Sequence, residues 1–225
     1  MKKIVLANWK ANFSPERAIQ WCDAFAAAYQ PRTDIEVVLA VPAFYLERVY
    51  QKTSNLPGVA LAAQGVSPFP QGSYTGSLPA AWLRGMVKYT LLGHRERRRY
   101  FHESVQDVAR QVYESLAEEL QPIICFDREL LVSQTAAMAV EELDRLIWAY
   151  TPATTVSFEM TRSGEDIAAM ITLAAKKTDY RPMLYGGGVT VANGKGIWHI
   201  PGVDGILLGQ GCLDAQAFAG LINQL

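Results

Sequence analysis

Ile4-Val5-Leu6-Ala7-Asn8-Trp9-Lys10 begins as a short apolar run and ends in an amide, an indole and an ammonium group. The run does not alternate polar with apolar, so it reads as a strand buried on both faces, as in a parallel sheet. The same design recurs along the chain. Leu92-Gly93-His94-Arg95-Glu96-Arg97-Arg98 closes one later apolar segment, and Phe158-Glu159 is read as closing another. Strands are expected near 3–8, 36–41, 59–64, 88–93, 121–126, 154–159, 181–186 and 203–208. Helix starts lie between them, at Ser14-Pro15-Glu16, Ser77 with Pro79, Ser104, Ser163 and Asp214.

Eight βα units fill the 225 residues. That is toward the short end for a (β/α)8 barrel, which typically takes about 250 residues. A doubly wound open sheet is the competitor, but it would gather its ligand at one switch point. Here chemically capable residues end at least five strands, which predicts one site at the carboxyl edge of a closed parallel barrel. No linker, charge block or low-complexity segment divides the chain, so residues 1–225 are expected to form a single α/β domain.

Composition excludes several classes. Half the residues are apolar and the formal net charge is −1, which gives no footprint for nucleic acid or an anionic membrane. The basic cluster Arg95–Arg99 contains Glu96 and reads as a solvated helix face. Cys22, Cys125 and Cys212 are odd in number and widely spaced, without metal-ligand spacing. Reduced thiols and a cytoplasmic location are the expectation. The first apolar run is too short for a signal peptide. No stretch approaches the roughly 18–20 apolar residues that span a bilayer. No metal and no cofactor are expected.

The motifs together resemble the triosephosphate isomerase family, in order along the whole chain. Ala7-Asn8-Trp9-Lys10 is similar to its first-strand signature, and Tyr74-Thr75-Gly76 to the tip of its long third loop. Gly93-His94-Arg95-Glu96-Arg97-Arg98 resembles Gly-His-Ser-Glu-Arg-Arg, and Phe158-Glu159 resembles the Ala-Tyr-Glu-Pro segment that carries the base. Tyr185-Gly186-Gly187-Gly188-Val189 resembles Tyr-Gly-Gly-Ser-Val, and Asp204–Gln210 the last phosphate-binding turn.

The resemblance implies proton transfer between adjacent carbons of a three-carbon sugar phosphate, through an enediolate. It implies Glu159 as base, His94 as neutral electrophile, Lys10 as fixed positive charge, Asn8 as the amide that orients Lys10 and the substrate oxygen, and Glu96 as a partner of Lys10 or a residue positioning His94. The substrate-binding set would be Asn8, Lys10, Gly164, Gly188, Gly209 and Gln210. It also implies a homodimer built through the loop around Thr75. A related isomerase for another phosphorylated aldose or ketose, or a degenerate sugar-phosphate-binding barrel, is the alternative. The chain departs from the family at Arg95, Gly188 and Gln210. It also departs in what reads as a shortened lid, Met160-Thr161-Arg162-Ser163-Gly164 after Glu159.

Overall fold

In a computed structural model of the chain, which describes residues 2–152 and 162–225, eight parallel strands close into a barrel in the order of the sequence. The elements run β1 (Lys3–Asn8), α1 (Pro15–Ala28), β2 (Ile35–Val41), α2 (Leu46–Thr53), β3 (Val59–Ala63), β4 (Tyr89–Leu92), α3 (Arg95–Phe101), α4 (Val105–Ala117) and β5 (Gln121–Phe126). They continue with α5 (Leu131–Ala136), α6 (Val140–Leu143), β6 (Ile147–Tyr150), α7 (Gly164–Lys177), β7 (Met183–Tyr185), α8 (Val191–Trp198), β8 (Gly205–Leu208) and α9 (Ala215–Gln224).

Alternate residues of each strand face opposite ways, which sorts the core into two layers. Ile4, Leu6, Val38, Leu91, Ile147 and Leu207 fill the barrel interior. Their sequence neighbours Val5, Ala7, Val37, Leu92, Trp148 and Leu208 pack outward under the helices. The helix starts follow from capping side chains. Ser14 Oγ accepts a hydrogen bond from Arg17 N, Ser104 forms a capping box with Asp107, and Ser163 Oγ accepts from Asp166 N. Ser77 and Pro79 open only a 3-10 turn, Ala80–Leu83. Among the described residues no helix is long and apolar enough to cross a membrane, and no cluster of His, Cys, Asp or Glu is placed to hold a metal.

One strand is not where the sequence pattern puts it. β6 is Ile147–Tyr150, seven residues before the expected start at 154. The earlier run wins because it completes two ladders, Ile123↔Ile147 to Phe126↔Tyr150 on one side and Trp148↔Met183 to Tyr150↔Tyr185 on the other. Pro152 then ends the strand, having no N–H to donate. Thirteen residues, 151–163, therefore separate β6 from the start of α7, and the expected shortened lid is overturned. Glu159 itself lies outside the described residues.

Candidate active site

The parity of the strands carries upward to the mouth. Asn8 follows Ile4 and Leu6 on the inward set of β1, Thr151 follows Ile147 and Ala149 of β6, and Gly209 follows Leu207 of β8. Thr151 and Gly209 line a cavity of about 270 Å³. It is lined by Lys10, His94, Glu96 and Thr151 on one part and by Gly186, Gly188, Gly209 and Gln210 on another.

Lys10 sits just beyond β1 with φ +51, a left-handed backbone unusual for a side chain-bearing residue. Asn8 holds that turn, its Oδ1 accepting from Lys10 N at 3.1 Å. Gln64, the next inward residue after β3, supports it by donating to the Lys10 carbonyl at 3.1 Å and the Ala40 carbonyl at 2.9 Å. The Lys10 ammonium reaches across the mouth to Glu96 Oε1 at 2.6 Å. Gly209 lies beside it: a Cβ there would stand 3.4 Å from Lys10 Cε, at van der Waals contact.

His94 is the N-cap of α3 and is almost fully buried. Its Nδ1 accepts from Glu96 N at 3.3 Å, so the ring proton of the neutral form belongs on Nε2. Burial pushes the imidazole pKa down to about 4. Glu96 opposes that shift, while Lys10 and Arg95 add to it. Glu96 is itself pushed up by burial, but the Lys10 hydrogen bond and the charges of His94, Lys10 and Arg95 hold its carboxyl below the usual range. The site at neutral pH therefore offers an ammonium, a neutral N–H donor and a carboxylate committed to the ammonium.

A depressed histidine pKa favours the folded state above the unfolded value and costs stability as pH falls from about 6.5 toward 4. In an NMR titration, the ring shifts of His94 are expected to stay those of a neutral Nε2–H tautomer through pH 6. A midpoint near 6.5 would contradict this reading.

Across from His94, the turns after β7 and β8 present backbone in place of side chains. Gly188 takes φ +63, and its carbonyl accepts from Asn193 Nδ2 at 2.9 Å. Gly186 is packed tightly enough that a Cβ would meet Thr151 Cγ2 at 3.0 Å and Leu207 Cβ at 3.1 Å. A 3-10 turn, Gln210–Cys212, follows the last strand. Glycine-rich backbone at these two strand ends suits a phosphate group.

The expected site residues are thus distributed unevenly. Lys10, His94, Glu96, Gly188, Gly209 and Gln210 line the cavity. Asn8 is buried directly behind it. Gly164 begins α7, with its nearest would-be contact Ile200, and does not line the cavity. Gln64 and Thr151 had no motif to mark them, although extending the inward parity of β3 and β6 by one residue finds both. Arg95 donates to the Pro152 carbonyl at 3.5 Å, tying the start of α3 to the end of the sixth strand. The Ala-Tyr-Glu-Pro pattern matched above to Phe158-Glu159 has a closer match at the end of β6. There Ala149-Tyr150-Thr151-Pro152 keeps three of its four residues and places threonine at the glutamate position.

The family model of triosephosphate isomerase matches residues 3–225. A triosephosphate isomerase of Paracidovorax citrulli is 32% identical, covering 98% of this chain and 97% of its own length. One of Alkaliphilus oremlandii is 30% identical, covering 99% of each. The crystal structure of triosephosphate isomerase from Bartonella henselae superposes with a TM-score of 0.86 at 23% identity, over 99% of this chain and 98% of that one; this similarity is one of fold. Matched along almost its full length, and carrying Lys10, His94 and Glu96 in one cavity at the barrel mouth, the chain belongs to the triosephosphate isomerase family.

Proposed function

We propose that this chain binds a triose phosphate at the barrel mouth and interconverts glyceraldehyde 3-phosphate and dihydroxyacetone phosphate through an enediolate. The observation that carries this reading is the Lys10–Glu96–His94 cluster facing glycine-rich turns across one small cavity. The phosphate rests on the turns after β7 and β8. Lys10 offsets the charge of the phosphate and of the enediolate, and His94 Nε2–H donates to the carbonyl oxygen. The carbon proton passes to a carboxylate, the C–H electron pair forms the carbon–carbon double bond, and the carbonyl oxygen takes the charge. Return of the proton to the neighbouring carbon completes the isomerisation. Glu159 is the only acidic residue of segment 153–161 and is assigned the role of that carboxylate.

A second reading, a barrel that binds the sugar phosphate without turning it over, is favoured by one observation. Among the described cavity residues the only carboxylate is Glu96, and it is held by Lys10. A coupled assay from glyceraldehyde 3-phosphate to dihydroxyacetone phosphate separates the two. Isomerisation is expected in the wild type, and Glu159→Gln is expected to lower kcat by roughly 10²-fold or more. Binding of 2-phosphoglycolate should stay unchanged in that variant. Binding without turnover in the wild type leaves the second reading.

A homodimer formed through the loop around Thr75 is part of the same proposal. Phe69 and Tyr74 on this loop stack at 4.7 Å and remain partly exposed, an apolar pair suited to a second copy.

A further inference from the structure

The link between β4 and α3 is two residues long, Gly93 and His94. In so short a turn the direction of His94 is set by the conformation of Gly93. Gly93 takes φ +63, and a Cβ on it would stand 2.6 Å from Arg98 Nη2 and 3.3 Å from the Cys125 carbonyl oxygen. The Arg98 guanidinium therefore packs where a side chain would be. Arg98 also closes the turn, its Nε donating to the Gly93 carbonyl at 2.8 Å. That carbonyl shares a peptide plane with the His94 N–H, so the bond fixes the orientation from which the imidazole departs.

Arg98 is held in turn by a residue far off in the sequence. Its Nη2 donates to Gln134 Oε1 at 2.6 Å. Gln134 lies on α5, is fully buried, and donates to the Val105 carbonyl at 3.3 Å, where α4 begins. Both acceptors of the guanidinium are neutral carbonyl groups, and no carboxylate among the described residues is paired with it. Burial pushes its pKa down, opposed by the charges of Glu103, Cys125 and Asp127. A half-buried cation without a paired counter-ion costs stability, and an apolar pair of similar volume would pack there at lower cost. What the cation and the amide supply is direction: a planar donor fork set between two fixed acceptors.

We infer that Arg98 and Gln134 are positioning residues for His94, acting through the Gly93 carbonyl to hold the imidazole in the orientation that leaves Nε2–H for the ligand carbonyl. The inference rests on the reading of His94 as donor to that carbonyl.

The chain has three histidines, His94, His102 and His199, so the ring of His94 can be followed by NMR. The charged groups that face it are Lys10, Arg95 and Glu96, and the variants alter none of them. Gln134→Met keeps the volume and removes the acceptor. The midpoint of His94 is expected to rise from about 4 by roughly one pH unit or more as the ring loses its burial. In the coupled assay kcat should fall roughly 10-fold with KM within a few-fold, because Lys10 and the glycine turns are untouched. Arg98→Lys keeps the charge without the fork and should do the same. Gln134→Glu restores an acceptor and should recover the wild-type titration. Gly205→Ala is the control for lost stability alone: it loosens the opposite end of the barrel and should leave the His94 midpoint in place. A folded Gln134→Met with the wild-type midpoint overturns the inference, as does an equal rise in Gly205→Ala. Should Gln134→Met not fold, an unmoved midpoint in Arg98→Lys overturns it equally. Absence of turnover in the wild type overturns the isomerase reading instead, and leaves the titration readable.

Discussion

Replacing Lys10 with methionine is expected to reduce kcat/KM by roughly 10³-fold or more, equivalent to about 4 kcal/mol of transition-state stabilisation. Three effects of the substitution act in the same direction. On the proposed reading, the phosphate and the enediolate lose Lys10, the only lysine among the described residues that line the cavity. Glu96, half-buried and bonded to Lys10 at 2.6 Å, loses the partner that holds its carboxyl ionised, so its pKa rises. An uncompensated Glu96 carboxylate then repels the ligand, and its proximity to His94, 3.6 Å from Oε2 to Nδ1, favours the imidazolium. The variant should therefore lose analogue binding as well as turnover, unlike a variant that removes only the base. The methylenes of methionine still fill the space over Gly209, so the fold should persist. Calorimetry with 2-phosphoglycolate decides the matter: affinity within three-fold of wild type would remove Lys10 from the site.

Much of the barrel was legible because its strands carry a physical signature. β1, β2 and β5 each contain a continuous apolar run, Ile4–Ala7, Val37–Val41 and Ile123–Phe126, followed by Asn8, Pro42 and Asp127. Only strands covered on both faces tolerate such runs. β6 was not legible in the same way. Leu146–Tyr150 is short and apolar, whereas the stretch from Thr154 to Phe158 is more polar but has the more β-branched residues, which favour strands. What selects between them is the pair of ladders to β5 and β7, a contact between segments far apart in sequence.

The consequence for the site was direct. Once the strand is displaced, its mouth residue becomes Thr151 and the following segment is no longer short. Lys10, His94 and Glu96 could be named from their motifs, but not their arrangement. Lys10 and Glu96 are 86 positions apart, and the neutral state of His94 depends on burial and on the Glu96 N–H at Nδ1.

The seam where the barrel closes should be its most sensitive point, and Gly205→Ala is expected to destabilise the protein by about 3 kcal/mol, lowering Tm by roughly 10 °C. Gly205 opens β8 and is paired on both sides, with Ile4 of β1 and with Leu184 of β7. Its backbone is not left-handed, so alanine has no conformational objection to the position. The objection is spatial. A Cβ would collide with the Ile4 carbonyl oxygen and would sit 2.6 Å from Leu184 Cδ2. A flexible side-chain tip could turn aside, but the Ile4 carbonyl belongs to the closing ladder, whose Ile4 N–H donates to the Asp204 carbonyl at 3.1 Å. Relief therefore requires β8 to move away from β1, which weakens the seam that completes the ring. Gly220→Ala is the matched control. It lies within α9, where a Cβ meets nothing within 4 Å, and alanine there should stabilise by about 0.5–1 kcal/mol through helix propensity. Thermal and urea unfolding of the two variants should thus move in opposite directions. Equal tolerance of both substitutions would show that β1 and β8 are not held in this register.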